Sequence, residues 1–173
     1  MAITLNGTTG ITTPASTVGG SAVLTTASTI ATSALPAGSV LQVVNATQST
    51  ELTSSSSTLA DTGLTATITP KFSSSKILVL VNQCGVRKDG DTYVGLSLLR
   101  AGSSILTFAV STGYDGGAGA NGIGADSVCY LDSPATTSAT TYKTQFKNTV
   151  PAGVVYVQVN GVASTITLME IAG

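Results

Sequence analysis

The chain has 173 residues, of which only 9% are charged: seven Lys or Arg against eight Asp or Glu, a net charge of −1, and no histidine. The length suits one domain plus an appendage, and the charge content is well below the roughly 25% of ordinary soluble domains. The weakly acidic balance without a basic run argues against nucleic acid, which needs clustered Lys and Arg.

A surface so poor in charge, with a mean hydropathy of +0.39, favours association. The longest strictly apolar run, Ile77 to Val81, is far short of the roughly 20 residues a membrane helix needs, so no membrane insertion is expected. The N-terminus, Met1-Ala-Ile-Thr-Leu-Asn-Gly7, lacks both a basic region and a hydrophobic core of the signal-peptide kind. A soluble protein without a cleaved signal is expected.

In chain order, residues 1–37 come first. No side chain from Met1 to Thr50 carries a charge, and Glu51 is the first that does. Thr, Ser, Ala and Gly dominate, and no 3.6-residue apolar period suggests a helix. Thr25, Thr26, Thr29, Ile30 and Thr32 are β-branched, which further disfavours one. Set into this polar tract are the apolar beads Ile3, Leu5, Ile11, Val18, Val23, Leu24 and Ile30. A segment with beads but no core of its own is expected to lie extended against neighbours, as an anchoring and assembly arm. Pro36-Ala-Gly38 marks its end, and 38–173 is expected to be a head domain.

From Ser39 onward the signals are short strands with turn punctuation. Val40–Val44 is the first, followed by a polar tract around Ser54 to Ser57. Leu64–Thr69 alternates apolar residues with threonine and stops at Pro70, as a half-exposed strand should. Ser75–Gln83 is apolar on both faces and is expected in the middle of a packed sheet. Lys88-Asp-Gly-Asp91 reads as a hairpin turn with Tyr93–Leu99 as its return strand, and Arg100-Ala-Gly-Ser103 as the next turn. Ile105–Val110 follows, then a glycine-rich loop over Thr112–Asp126. Ser127–Leu131, Thr140–Lys147, Val154–Val159 and Ser164–Ile171 complete the set, with turns at Pro151-Ala-Gly153 and Asn160-Gly161. Nine or ten short strands without a helix predict an all-β, antiparallel sandwich of jelly-roll type behind an extended arm.

Chemistry is scarce. Without histidine the commonest general base and metal ligand is missing, and no serine sits in a Gly-x-Ser-x-Gly elbow. Asp89 with Asp91 flank a glycine beside Arg87 and Lys88, where turn formation is the expected role. Asp115 and Asp126 bracket the glycine-rich loop without the regular Asp-x-Asp ladder of a calcium site. That loop is followed by neither Gly-Lys-Ser/Thr nor a helix, so it is not a phosphate loop. It is instead a candidate recognition loop, with Tyr114, Asp115, Asn121, Ile123 and Asp126 as its contact residues. No catalytic residue, metal or cofactor is expected. Cys84 and Cys129 show no metal spacing and read as small buried hydrophobes, a disulfide between facing strands being the alternative.

Two stretches carry a resemblance. Ile3-Thr-Leu-Asn-Gly-Thr-Thr-Gly-Ile-Thr-Thr-Pro14 resembles the Asn-Gly-Thr-Thr-Gly segments of tail-fibre and other virion proteins of tailed bacteriophages. Pro36 to Val44, Ser75 to Val81 and Thr167 to Gly173 are similar to the small β-rich heads of phages of aquatic bacteria, cyanophages among them. The resemblance implies a non-enzymatic protein of the virion exterior, made in the host cytoplasm. Its implied partners are itself, as a homotrimer, and the major capsid protein or tail proteins, with a host surface glycan or receptor in the tail-fibre case. A charge-poor outer strand face is expected to pack against copies around a threefold axis, and the arm to add strands to neighbours. A capsid decoration or cement protein is the first reading. A short tail fibre or receptor-binding head is the second, and a carbohydrate-active enzyme or lectin using Asp115, Asp126 and Tyr114 the third.

Overall fold

The computed structural model describes residues 35–114, 117 and 119–173, with backbone only at Ile123. The arm, with Ile3, Leu5, Ile11, Val18, Val23, Leu24 and Ile30, lies outside the described residues, as does Asp115. Ten strands follow one another: β1 (Val40–Gln48), β2 (Leu52–Ser54), β3 (Ala60–Ile68), β4 (Lys76–Gly90), β5 (Val94–Arg100), β6 (Ser103–Thr112), β7 (Asn121–Asp132), β8 (Thr140–Asn148), β9 (Gly153–Val157) and β10 (Ser164–Ile171). The one helical element among the described residues is a 3-10 turn, Val159–Gly161.

The strands form two antiparallel sheets packed as a sandwich. The first runs β1-β10-β4-β9-β2 with β7 also on β4, and the second runs β3-β8-β5-β6. Period-2 alternation sets the inner faces. In β3, Leu64, Ala66 and Ile68 are buried while Thr65 and Thr67 are exposed; in β8, Tyr142, Thr144 and Phe146 point inward. Four of the pairings nest inside one another: β5 with β6, β4 with β7, β3 with β8, and β1 with β10.

Three expectations need correction. Lys88 to Asp91 is not a hairpin turn. β4 runs on through Lys88, Asp89 and Gly90, which pair with Val155, Val154 and Gly153 of β9. β5 pairs with β6 and β8 in the other sheet. The reason is occupancy: both edges of β4 are already taken, one by β7 and the other by β10 and then β9. The left-handed Gly90, at φ 97, therefore begins a corner between sheets. The next turn is a true two-residue hairpin, with Ala101 and Gly102 both at positive φ.

The second correction concerns the glycine-rich stretch. β7 already begins at Asn121, so Asp126 lies within a strand, opposite Gln83. Backbone pairing to β4 draws these residues out of the loop. Third, Cys129 is exposed and Cys84 half-buried, and both are free thiols. Cys84 lies opposite Ala125 and Cys129 opposite Leu80, so the two are staggered along one ladder rather than facing.

The interior is divided. One apolar cluster holds Leu64, Ile68, Ile77, Val79, Leu98, Tyr142, Ile166 and Leu168; a second holds Val86, Val94, Leu96, Phe146, Val155 and Val157. Between them runs a buried polar seam. Thr62 and Thr144 share a hydroxyl hydrogen bond, Thr144 donates to Gln83 Oε1 at 2.9 Å, and Gln83 donates to Ser164 Oγ at 3.0 Å. Ser164 Oγ also accepts from the Cys84 backbone N–H at 2.9 Å and from Gln158 Nε2 at 3.2 Å. The seam crosses from the second sheet to the first.

Candidate functional site

Two regions of the surface gather the features a binding site would use. One is the end of the molecule at the β6–β7 connection. Tyr114 is exposed there and meets Tyr93 edge to face, with ring centroids 5.6 Å apart. Its backbone N–H donates to Ser111 O at 3.2 Å. Asn121 Nδ2 donates to Gly113 O at 3.5 Å across the base of the connection. Sequence reasoning missed the main anchor, Lys88. This lysine is buried in β4, and its Nζ donates to Gly117 O at 2.6 Å. A buried ammonium needs such partners, because desolvation without them is costly. The only signal in the sequence was a lysine within the Arg-Lys-Asp-Gly tract, which turn reasoning assigned to solvent.

Asp126 stands apart from Tyr114 and Asn121, farther along β7. Burial pushes its carboxyl above the usual range, against the lowering effect of the Thr112 hydroxyl. The structure thus brings Tyr114 and Asn121 together at one connection and places Asp126 up the strand, while Asp115 and the Ile123 side chain are outside what is described. Among the described residues no group of three His, Cys, Asp or Glu side chains is placed to hold a metal. Asp89 is part-exposed and 3.6 Å from Arg87, whose guanidinium lies 5.0 Å over the Tyr156 ring. These are surface contacts of modest worth.

The second region is the outer face of the first sheet. Register sets side chains in rows across four strands. Val43, Met169, Leu78 and Leu131 make one row; Asn45, Thr167, Leu80 and Cys129 the next; Thr47, Thr165, Asn82 and Ser127 the third. The first two rows are largely apolar, and Val43 and Leu131 are 54% and 49% exposed. Within these three rows no side chain is charged; Lys76 stands at one rim, and Arg87 and Asp89 lie on the outer side of β4 past its bulge. The outer face of the second sheet differs. It carries Lys143 and Lys147 with Asp61, and Lys143 is 2.7 Å from the Asp61 carboxylate. That contact and an amide from Gln145 hold the Asp61 carboxyl below its usual value.

Two ionic anchors serve the frame rather than a ligand. Asp132, ending β7, accepts from Arg100 Nη1 at 2.8 Å and from the Tyr142 hydroxyl at 2.6 Å, tying one sheet to the other. Burial, then the Asp132 contact, raises the Tyr142 hydroxyl's pKa strongly. Glu170 plays a similar part at the β3–β4 connection. A concavity of about 270 Å³ opens on the outside of the second sheet between Gly95, Ser97, Thr107, Val110 and Lys147. Lys147 is its one titratable group, so it pairs no acid with a base.

No protein-family model and no curated protein matches this chain.

Proposed function

We propose that the chain is a non-enzymatic structural protein of a bacteriophage virion, a trimeric capsid decoration protein whose N-terminal arm anchors it to the particle. The observation that carries this reading is the uneven distribution of charge. All fifty residues from Met1 to Thr50 are uncharged, and the sandwich behind them presents one outer face that carries Lys143, Lys147 and Asp61 and another with two largely apolar, uncharged rows at its centre. A protein that works alone gains nothing from an open apolar sheet face; a protein packed among many copies buries it. The nested strand pairing supports a jelly-roll winding, the arrangement in which two Greek keys close over one core. Uncharged Thr-, Ser- and Val-rich chain suits strand addition to a neighbouring protein, and many such weak anchors on one particle reinforce one another.

Exposed Tyr114 at the β6–β7 connection favours a second reading, a short tail fibre whose head touches a host glycan or receptor. Copy number on purified particles separates the two. Hundreds per virion support decoration, a few tens support a fibre. Removing residues 2–34 is expected to abolish particle binding while the head stays folded. Normal binding of the shortened chain would overturn the anchoring role.

A further inference from the structure

We propose that the concavity on the outer face of the second sheet binds a small carboxylate, whose anion meets Lys147 and whose apolar body lies against Leu59 and Val110. A site of this kind goes beyond self-association and particle anchoring, and its test depends on neither.

The strands themselves build the hollow. In β5, Gly95 stands opposite Lys147 of β8 and leaves a place in the sheet without a side chain. On the other side β6 bows. It holds one extra residue on each side of Ala109, since Val94 pairs with Thr112, Leu96 with Ala109 and Ser97 with Thr107. Bulges of this kind bend a strand and disrupt its ladder locally. The result, about 270 Å³, lies near the lower end of small-molecule sites, which take roughly 300–1,000 Å³. Its occupant is therefore compact.

Gly95 lies outside the left-handed region, so backbone torsion does not call for glycine there. Lys147 does. A Cβ on residue 95 would stand 3.2 Å from Lys147 Cγ, 3.3 Å from its Cε and 3.1 Å from Thr149 Oγ1. The lysine stem thus lies across the glycine, which keeps its ammonium at the wall of the hollow. Among the described residues no carboxylate is within ion-pair reach of this ammonium. Lys143, on the same strand and face, has one: it sits 2.7 Å from Asp61.

The rest of the lining sets the ligand's other end. Leu59, Leu96, Ala109 and Val110 are apolar, and no acid lines the hollow to repel an anion or to hold a cation. An unpaired cation beside apolar walls selects an anion with a carbon body. The charge gains a charge-assisted hydrogen bond to Lys147, and the body gains by leaving water. The Ser97 and Thr107 hydroxyls, 3.3 Å apart, add polar contacts between the two.

The test uses the full chain labelled with ¹⁵N, with benzoate as the probe. Saturable shifts are expected at the backbone amides of Gly95, Ser97 and Thr149, with a Kd in the millimolar range. Benzamide keeps the ring without the charge, and acetate keeps the charge without the ring. Each is expected to bind about ten-fold more weakly, a difference of roughly 1.4 kcal/mol. These comparisons need no variant, so they stand even if a substitution disturbs the fold. Lys147→Met, checked by circular dichroism, is expected to weaken benzoate about ten-fold as well, while Lys143→Met leaves it unchanged. No saturable shift at tens of millimolar benzoate would overturn the site, as would shifts confined to other parts of the molecule. So would benzamide or acetate binding as tightly as benzoate, or a Lys147→Met protein that binds like the wild type.

Discussion

Glu170 shows how much a single side chain can organise. It is fully buried in β10, yet it is charged, because the chain turns its donors toward it. The Lys71 backbone N–H reaches its carboxylate at 2.6 Å and the Gln42 amide donates from β1. Burial pushes the carboxyl up, but the donors around it, the Gln42 amide and the Lys71 backbone N–H among them, outweigh it, and the net pKa lies below the ordinary 4.5. A carboxyl whose folded pKa is depressed contributes stability above its unfolded pKa and loses it as pH falls through the folded value. Glu170→Gln is therefore expected to cost about 1–3 kcal/mol at neutral pH, since its amide faces donors with a donor. Urea midpoints of the two proteins should converge as the pH is lowered from about 4.5 toward 3. Parallel curves would contradict this role. None of it is legible in the sequence, where Glu170 is one acid near a terminus and its partners lie about a hundred residues away.

At the scale of elements, β4 shows what alternation reveals and what it leaves open. Ser75–Gln83 reads as apolar on both faces, and Ile77, Val79 and Val81 are indeed buried. Leu78 and Leu80 were read as buried too, but they point to the open outer face and are half-exposed. A run apolar on both sides says only that both sides prefer to be dry; it does not say what covers the second. β4 also changes partner midway, from β10 to β9, at a bulge around Gly85. There φ is +60, and a Cβ would lie 2.4 Å from the Val159 backbone nitrogen, so only glycine fits.

The polar seam beside that bulge ties β10 to β4 and to Gln158, just past β9, through one hydroxyl. Ser164→Ala would leave the Gln83 and Gln158 amides and the Cys84 N–H without their shared acceptor. At about 1–3 kcal/mol for a buried group left unpaired, a total loss of about 2–4 kcal/mol is expected. That is a fall in Tm of about 5–15 °C for a chain of this size. Thr65→Ala, on the outer face of β3, is the control and should stay within about 0.5 kcal/mol. A Ser164→Ala protein as stable as that control would rule out the seam as a stabilising network.

The whole molecule is organised by separation along the chain. β5 and β6 close through two residues, whereas β1 and β10 join Gln48 to Ser164 and Val40 to Ile171. Loop-closure entropy opposes such distant pairing until the inner pairs are in place. Refolding from urea is thus expected in milliseconds to seconds, the range of β-rich proteins dominated by non-local contacts. Stopped-flow fluorescence of the five tyrosines would measure it, and a microsecond phase carrying the full amplitude would contradict the nested order.

The sequence by itself determined the class of fold and most strand positions, Ser164–Ile171 to the residue. Period-two alternation and Gly, Pro and Asn turns are local signals, and they act within a few residues. It also determined how little charge the chain has to spread over its surface, 9% of its residues. Tertiary structure alone decided which strands pair, because hydrogen-bonding edges are alike in every strand and only occupancy assigns them. That is why Asp89-Gly90 ends β4 at a corner between sheets and not in a hairpin, and why Asp126 left the loop for β7. It decided as well which apolar residues are open among the described residues, since Leu78 and Val79 look the same until the second sheet covers one face of the first.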